Sequence, residues 1–173
     1  GADLVITSRR VETLQPFQEE IEALGRKALP VELDVSVQQS IENLVEVVMK
    51  EYGQIDILVN NAGCNIRKPA LEVTWEDCDT VLHTNLRGSF FMAQAVAAQM
   101  IPRGYGRIIN IGSVTSFFGY AGITPYCASR GGVKQMTTSL ADEWGKYGIT
   151  VNCLAPGWFK TQQNQVLYED KEW

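Results

Sequence analysis

The stretch TPYCASRGGVKQ, residues 124–135, holds a phenol and, four positions later, a guanidinium: Tyr126 and Arg130. Positions i and i+4 lie on one face of a helix. A free phenol ionises near pH 10, about three units too high to cycle readily at neutrality. A cation held beside it favours the phenolate. The pair therefore reads as a proton donor and the charge that tunes it. Arginine brings a restriction that lysine would not, because a guanidinium effectively never gives up its proton.

Such a pair needs a scaffold. Along the chain, short β-branched runs alternate with longer amphipathic stretches. The runs predict strands at Asp3–Thr7, Ala28–Leu33, Ile55–Asn60, Gly106–Ile111 and Thr150–Leu154. Between them helices are expected at Val11–Leu24 with Pro16 in the first turn, and at Val37–Tyr52 with Ser36 as N-cap. Further helices are expected at Thr74–Thr84 with a Thr74/Asp77 capping box, at Leu86–Met100, and at Tyr126–Tyr147 closed by Gly148. This alternation predicts one α/β domain over residues 1–173, a doubly wound, mostly parallel sheet with helices on both faces. Ligands of such folds bind beyond the carboxyl ends of the strands. There the sequence places Ser8-Arg9-Arg10, Asp34-Val35, Asn60-Asn61-Ala62-Gly63, Gly112-Ser113 and Ala155-Pro156-Gly157, all small, polar or charged.

Composition narrows the class. Charged residues make up 20% of the 173, and the formal net charge is −5, which offers no basic surface for nucleic acid. No apolar run is long enough to span a bilayer as a helix. The four cysteines form no C-x-x-C pair and His83 is the lone histidine, so a zinc site is not expected. Free thiols of a cytoplasmic protein are. Residue 1 stands directly before an apolar run without Met or leader, and KEW completes no element. The chain is therefore expected to be an excerpt of a longer one.

Taken together, N-N-A-G at 60–63, Asn85, Ser113 with Tyr126 thirteen positions on, and P-G at 156–157 with Thr161 resemble the short-chain dehydrogenase/reductase family. The resemblance runs over the whole chain. Within the family, N-I-R-K-P at 65–69 and A-P-G-W-F-K-T at 155–161 are most similar to sugar and polyol reductases of the gluconate 5-dehydrogenase type. The resemblance implies a Rossmann-like fold and hydride transfer between a nicotinamide and a carbonyl or secondary alcohol. It implies a keto sugar acid such as 5-ketogluconate as substrate. A ketoacyl-carrier-protein-type reductase and a non-catalytic dinucleotide-binding relative are the alternatives. Ser113 would bond the carbonyl oxygen beside the acid Tyr126, and the Asn85 carbonyl would hold a water leading to solvent. Asn61, Ala62 and Gly63 would approach the adenosine ribose, Asp34 and Val35 would flank the adenine, and Pro156, Gly157 and Thr161 would back the nicotinamide. Tyr126 and residue 130 would also meet the cofactor. Ser8 and Arg9 stand where an acid would mark NAD(H). A serine and a guanidinium suit a 2′-phosphate, so NADP(H) is expected over NAD(H). Arg67, Trp158 and the stretches Cys64–Pro69, Val114–Gly122 and Trp158–Gln165 would line the substrate pocket, with Phe117, Phe118 and Tyr120 as an aromatic wall. Leu86–Met100 and Val133–Trp144 would pair copies into a homodimer or homotetramer.

Two departures stand out. Arg130 takes the place of the family's lysine. It can supply charge but cannot pass protons onward, so slower turnover is expected than with lysine there. The family's glycine-rich phosphate loop is absent ahead of Asp3. The strand that carries it would lie between those at 3–7 and 55–60, so the 173 residues alone are expected neither to hold a dinucleotide tightly nor to form a stable monomer.

Overall fold

The computed structural model describes residues 1–159. The five β-branched runs form β1 (Leu4–Ser8), β2 (Ala28–Glu32), β3 (Ile57–Asn60), β4 (Gly106–Ile111) and β5 (Ile149–Leu154). All pairings are parallel. β1 lies on β2 from Leu4 opposite Ala28 to Ser8 opposite Glu32, while β4 lies between β3 and β5, with Asn110 opposite both Asn60 and Cys153. The result is two sheets, β1-β2 and β3-β4-β5, with no ladder between them among the described residues. Leu4 on β1, and Ile57 and Val59 on β3, are exposed. These are the two strands that the resemblance places on either side of a further one.

Among the described residues, five α-helices connect the strands: α1 (Gln15–Ala23), α2 (Gln38–Tyr52), α3 (Trp75–Leu82), α4 (Ser89–Met100) and α5 (Thr124–Gly145). Pro16 sits in the first turn of α1, as its fixed φ and missing N–H favour. The helix begins later than expected, because Val11–Leu14 winds as a tighter 3₁₀ turn. The Thr74/Asp77 capping box forms in both directions. The N-cap of α2 is Val37 rather than Ser36, since the Ser36 hydroxyl is taken by Asp34. α5 starts two residues early, with Pro125 in its first turn, and ends at Gly145. Gly148 closes the following turn instead. Its φ is +75°, and a Cβ there would overlap the Gly104 carbonyl oxygen, so glycine is required on two counts.

The break expected between the helices at 74–84 and 86–100 does not occur. Residues His83–Gly88 form a π-helical turn that carries α3 into α4 without interruption. A π turn inserts one residue into the helical repeat and shifts the apolar stripe. That shift is what the sequence displays as two helices.

One core holds the two sheets together. Ile41, Leu44 and Val48 of α2 pack with Met92, Val96 and Met100 of α4, over Ile108 of β4, Ile149 and Val151 of β5 and Trp144 of α5. Each such side chain contributes roughly 1.5–3 kcal/mol on burial. Through this core runs a chain of buried amides. Asn60 Nδ2 donates to the Ser89 carbonyl (3.0 Å) and to Asn110 Oδ1 (2.9 Å); Asn110 Nδ2 donates to Thr137 Oγ1 (3.0 Å), which donates to the Val133 carbonyl (2.7 Å). It fixes the carboxyl end of β3 and β4 against α4 and α5, the region where the phenol sits. Asn110→Ala breaks the chain at its centre and strands buried partners. Urea unfolding of the full-length protein is expected to show a loss of about 1–3 kcal/mol, and a loss under about 0.5 kcal/mol would refute the role.

Candidate active site

Because the strands are parallel, their carboxyl ends share one edge, and the loops there carry the chemistry-bearing residues. The end of β4 is stitched to that of β5: Gly112 N–H donates to the Leu154 carbonyl (2.7 Å) and Val114 N–H to the Pro156 carbonyl (3.0 Å). Ser113 lies between these bonds, buried at the head of a 3₁₀ turn over Val114–Ser116. Its Oγ accepts from Thr115 N–H (3.1 Å), which leaves its own proton free to donate. Ser116 Oγ accepts from Ser113 N–H (3.1 Å) and donates to the Arg130 carbonyl (2.8 Å), tying this turn to α5. Ser116 lies in the stretch expected to line the substrate pocket; its tie to the main chain of α5 was not foreseen.

Tyr126 is half-buried in the first turns of α5. The Arg130 Cζ lies 5.0 Å from its ring centroid, within cation–π range. Arg130 is only 5% exposed. Its Nη1 donates to the Ile111 carbonyl (2.7 Å), and its Nε–H is buried without a partner among the described residues. The guanidinium also fills the space over Gly63. A Cβ built on Gly63 would overlap Nη2 and stand 3.3 Å from Cζ and 3.2 Å from Asn85 Oδ1. That space was expected to face a ribose.

Asn85, in the π-helical turn, is fully buried. Its side chain clamps the main chain of Cys64: Oδ1 accepts from the N–H (2.8 Å) and Nδ2 donates to the carbonyl (2.9 Å). Nδ2 also donates to Ser129 Oγ (3.0 Å), which donates to the Tyr126 carbonyl (2.7 Å). The turn after β3 and the helix of Tyr126 are thus joined through one amide. The Asn85 carbonyl, expected to hold a water, accepts the Ser89 hydroxyl at 2.8 Å. Ser89 and Ser129 gave no signal in the sequence beyond being serines on helix faces.

At the other end of the edge, Ser8 closes β1 and its Oγ accepts from Arg10 N–H (3.3 Å) and the Thr13 hydroxyl (3.1 Å). Arg9 is exposed and makes no ion pair among the described residues. Asp34 follows β2, with Val35 half-buried beside it. The Ser36 hydroxyl (2.6 Å) and N–H (2.8 Å) both donate to Asp34 Oδ1. These bonds, Ser36 hydroxyl foremost, hold the carboxyl below its usual 3.8 against partial burial, with the charge of Arg9 assisting. Oδ2 has no hydrogen bond among the described residues. Asn61, Ala62 and Gly157 are exposed and Pro156 half-buried, all on this edge. These residues fit a dinucleotide: an exposed guanidinium for phosphate, a carboxylate oxygen for an amine, and small residues over which a flat ring can lie. Thr161 lies outside the described residues.

The loops expected to line the substrate pocket separate two neighbouring cations. Lys68 Nζ is paired with Asp77 Oδ2 at 2.5 Å, inside the capping box of α3, and its N–H donates to the Gly122 carbonyl (2.9 Å). It is structural. Arg67 is exposed, 5.8 Å over the Tyr120 ring, which stands edge-on to Trp158 at 5.6 Å. Phe117 and Phe118 are exposed on the same loop. Cavities of about 430 Å³, lined by Leu82, Leu86, Phe90 and Met136 among others, and of about 200 Å³, lined by Val35, Ile41 and Phe91 among others, lie away from Tyr126. The residues that could do chemistry sit on an open edge instead.

The short chain dehydrogenase family pattern matches residues 1–172. The chain belongs to this family of oxidoreductases. It is 42% identical over 172 residues to gluconate 5-dehydrogenase of Gluconobacter oxydans, covering 99% of this chain and 67% of that one. It is 36% identical over 171 residues to 5-keto-D-gluconate 5-reductase of Escherichia coli K12, with 99% and 67% covered. Among solved structures, a gluconate 5-dehydrogenase from Burkholderia cenocepacia in complex with NADP and tartrate superposes with a TM-score of 0.94 at 38% identity, covering 99% of this chain and 68% of that one. The chain thus spans about two thirds of the length of these relatives. The fold agrees with the family: parallel strands with helical crossovers. All four cysteines are free thiols, and no helix among the described residues is long and apolar enough to cross a membrane.

The Asp34 carboxylate sets a pH dependence. Its folded pKa is depressed, so its contribution to stability is present above the unfolded value and lost as pH falls through the folded one. Asp34→Asn is expected to lose less Tm than the native full-length protein between about pH 5 and about pH 3. Parallel Tm–pH curves would refute this.

Proposed function

We propose that the protein is an NADP(H)-dependent reductase of keto sugar acids, 5-ketogluconate being the model substrate. The observation that carries the substrate class is the division of labour at 67–68. Lys68 is committed to Asp77, which leaves Arg67, among the described residues, as an exposed cation beside the Tyr120–Trp158 wall. A guanidinium pairs bidentately with a carboxylate, and polyol carbon packs on aromatic faces. The relatives named above, a gluconate dehydrogenase and a ketogluconate reductase, support the same class.

The cofactor, when bound, supplies the hydride to the carbonyl carbon. The chain's own groups manage the oxygen. The Ser113 hydroxyl donates to it and polarises the carbonyl, and Tyr126 delivers the proton that completes the alcohol. The Arg130 charge favours the phenolate left behind. Ser8 and Arg9 hold the 2′-phosphate, Asp34 and Val35 the adenine, Asn61 and Ala62 the ribose side, and Pro156 and Gly157 the nicotinamide face. The same surfaces of α4 and α5 that frame the apolar cavity at Leu86, Phe90 and Met136 pair copies into a dimer or tetramer.

With the full-length protein, NADPH oxidation is followed against 5-ketogluconate and a neutral diketone. Tyr126→Phe is expected to lower kcat by about 10²–10⁴ on both. Arg67→Ala is expected to raise KM about tenfold for the keto acid only. An equal KM change on the neutral ketone would sink the carboxylate role of Arg67. Full activity in Tyr126→Phe would sink the reading as a whole.

A further inference from the structure

We propose that Gly63 and Arg130 form an interlock. The missing side chain at 63 leaves the space that the guanidinium fills, and the guanidinium fastens the end of β4 to the helix that carries Tyr126. Arg130 is then a positioning residue, a fixed bolt and not a proton carrier. Its activity arm rests on the reductase reading above; its stability arm does not.

Glycine at 63 is not demanded by the backbone. The glycines with positive φ are 25, 53, 104, 122 and 148, so alanine at 63 carries no left-handed strain. Space is the constraint. A Cβ would overlap Arg130 Nη2 and crowd Cζ at 3.3 Å. The tip of a long side chain ordinarily swings aside at little cost, but this one is pinned. Nη1 is bonded to the Ile111 carbonyl at 2.7 Å, the residue is 5% exposed, and its own carbonyl accepts from Ser116 Oγ at 2.8 Å. Displacing the guanidinium would break the bond at the end of β4 and move the cation off the Tyr126 ring. Proton traffic through residue 130 is closed at the residue itself, because a guanidinium does not deprotonate.

Lysine makes the test sharp. Its ammonium ends near the position of Arg130 Cζ, so nothing occupies the volume of Nη2. A methyl at 63 would then meet Asn85 Oδ1 at 3.2 Å and the ammonium at about the 3.3 Å of Cζ, close contacts that both backgrounds share, without the overlap on Nη2. The coupling between the two positions isolates the interlock.

Four full-length proteins are compared: native, Gly63→Ala, Arg130→Lys and the double variant. Tm is measured, with kcat and KM for 5-ketogluconate. In the arginine background Gly63→Ala is expected to lower Tm by about 5 °C and kcat about tenfold, with KM within about twofold. In the Arg130→Lys background the same change is expected to lower Tm by under about 2 °C and kcat by under about threefold. Equal Tm losses in both backgrounds would overturn the interlock. Coupled Tm values with uncoupled kcat values would overturn the positioning role, because a merely structural contact does not move kcat selectively. If none of the four oxidises NADPH, the reductase reading fails, and the Tm cycle alone still decides the interlock.

Discussion

A guanidinium that is 5% exposed, with no carboxylate paired to it among the described residues, is an expensive thing to bury. Its charge is met by one main-chain carbonyl at the end of β4 and by the face of the Tyr126 ring. Both partners must hold still for this to succeed. Much of the surrounding structure does that holding. Ser116 binds the carbonyl of Arg130, Asn85 clamps the turn after β3, and Gly63 leaves the required gap. The Nε–H, without a partner among the described residues, is the residual cost, about 1–3 kcal/mol for such a buried donor.

The polar core beneath follows the same logic. Asn60, Asn110 and Thr137 are buried where apolar side chains would pack more cheaply. Each is satisfied, and together they join β3, β4, α4 and α5 in one directed chain. Apolar packing is non-directional and tolerates small sliding; a chain of amides does not. The ends of β3 and β4 are thereby held in one register, on which the loops around Ser113 and Tyr126 depend.

The π-helical turn links these features to the helix surface. It turns the side chain of Asn85 inward to Cys64 and Ser129, while the next residues, Leu86 and Arg87, line the helix cavities. Arg87 also donates to the Ser36 carbonyl at 2.9 Å, beside Asp34 and Val35. One extra residue in a helix thus ties the phenol, the Asp34–Ser36 turn and the outer helix face to a single element.

The sequence by itself determined the five strands, because β-branched runs bounded by turns leave few other choices, and with them the parallel pairing and the edge that gathers the polar loops. It also determined the Thr74/Asp77 cap and the family, since both rest on residue types at fixed local spacing. Only the tertiary structure decided the rest. The π turn erased the expected break at Asn85, because a shifted apolar stripe looks the same as two helices. Ser36 served Asp34 rather than the helix, a competition between two local partners that spacing cannot settle. Lys68 and Arg67, adjacent and alike in charge, were separated by the carboxylate that came within reach of one of them. Gly63 and Arg130 lie far apart in the chain, and whether an arginine points to water or to a missing side chain is fixed only when the strands bring the two together.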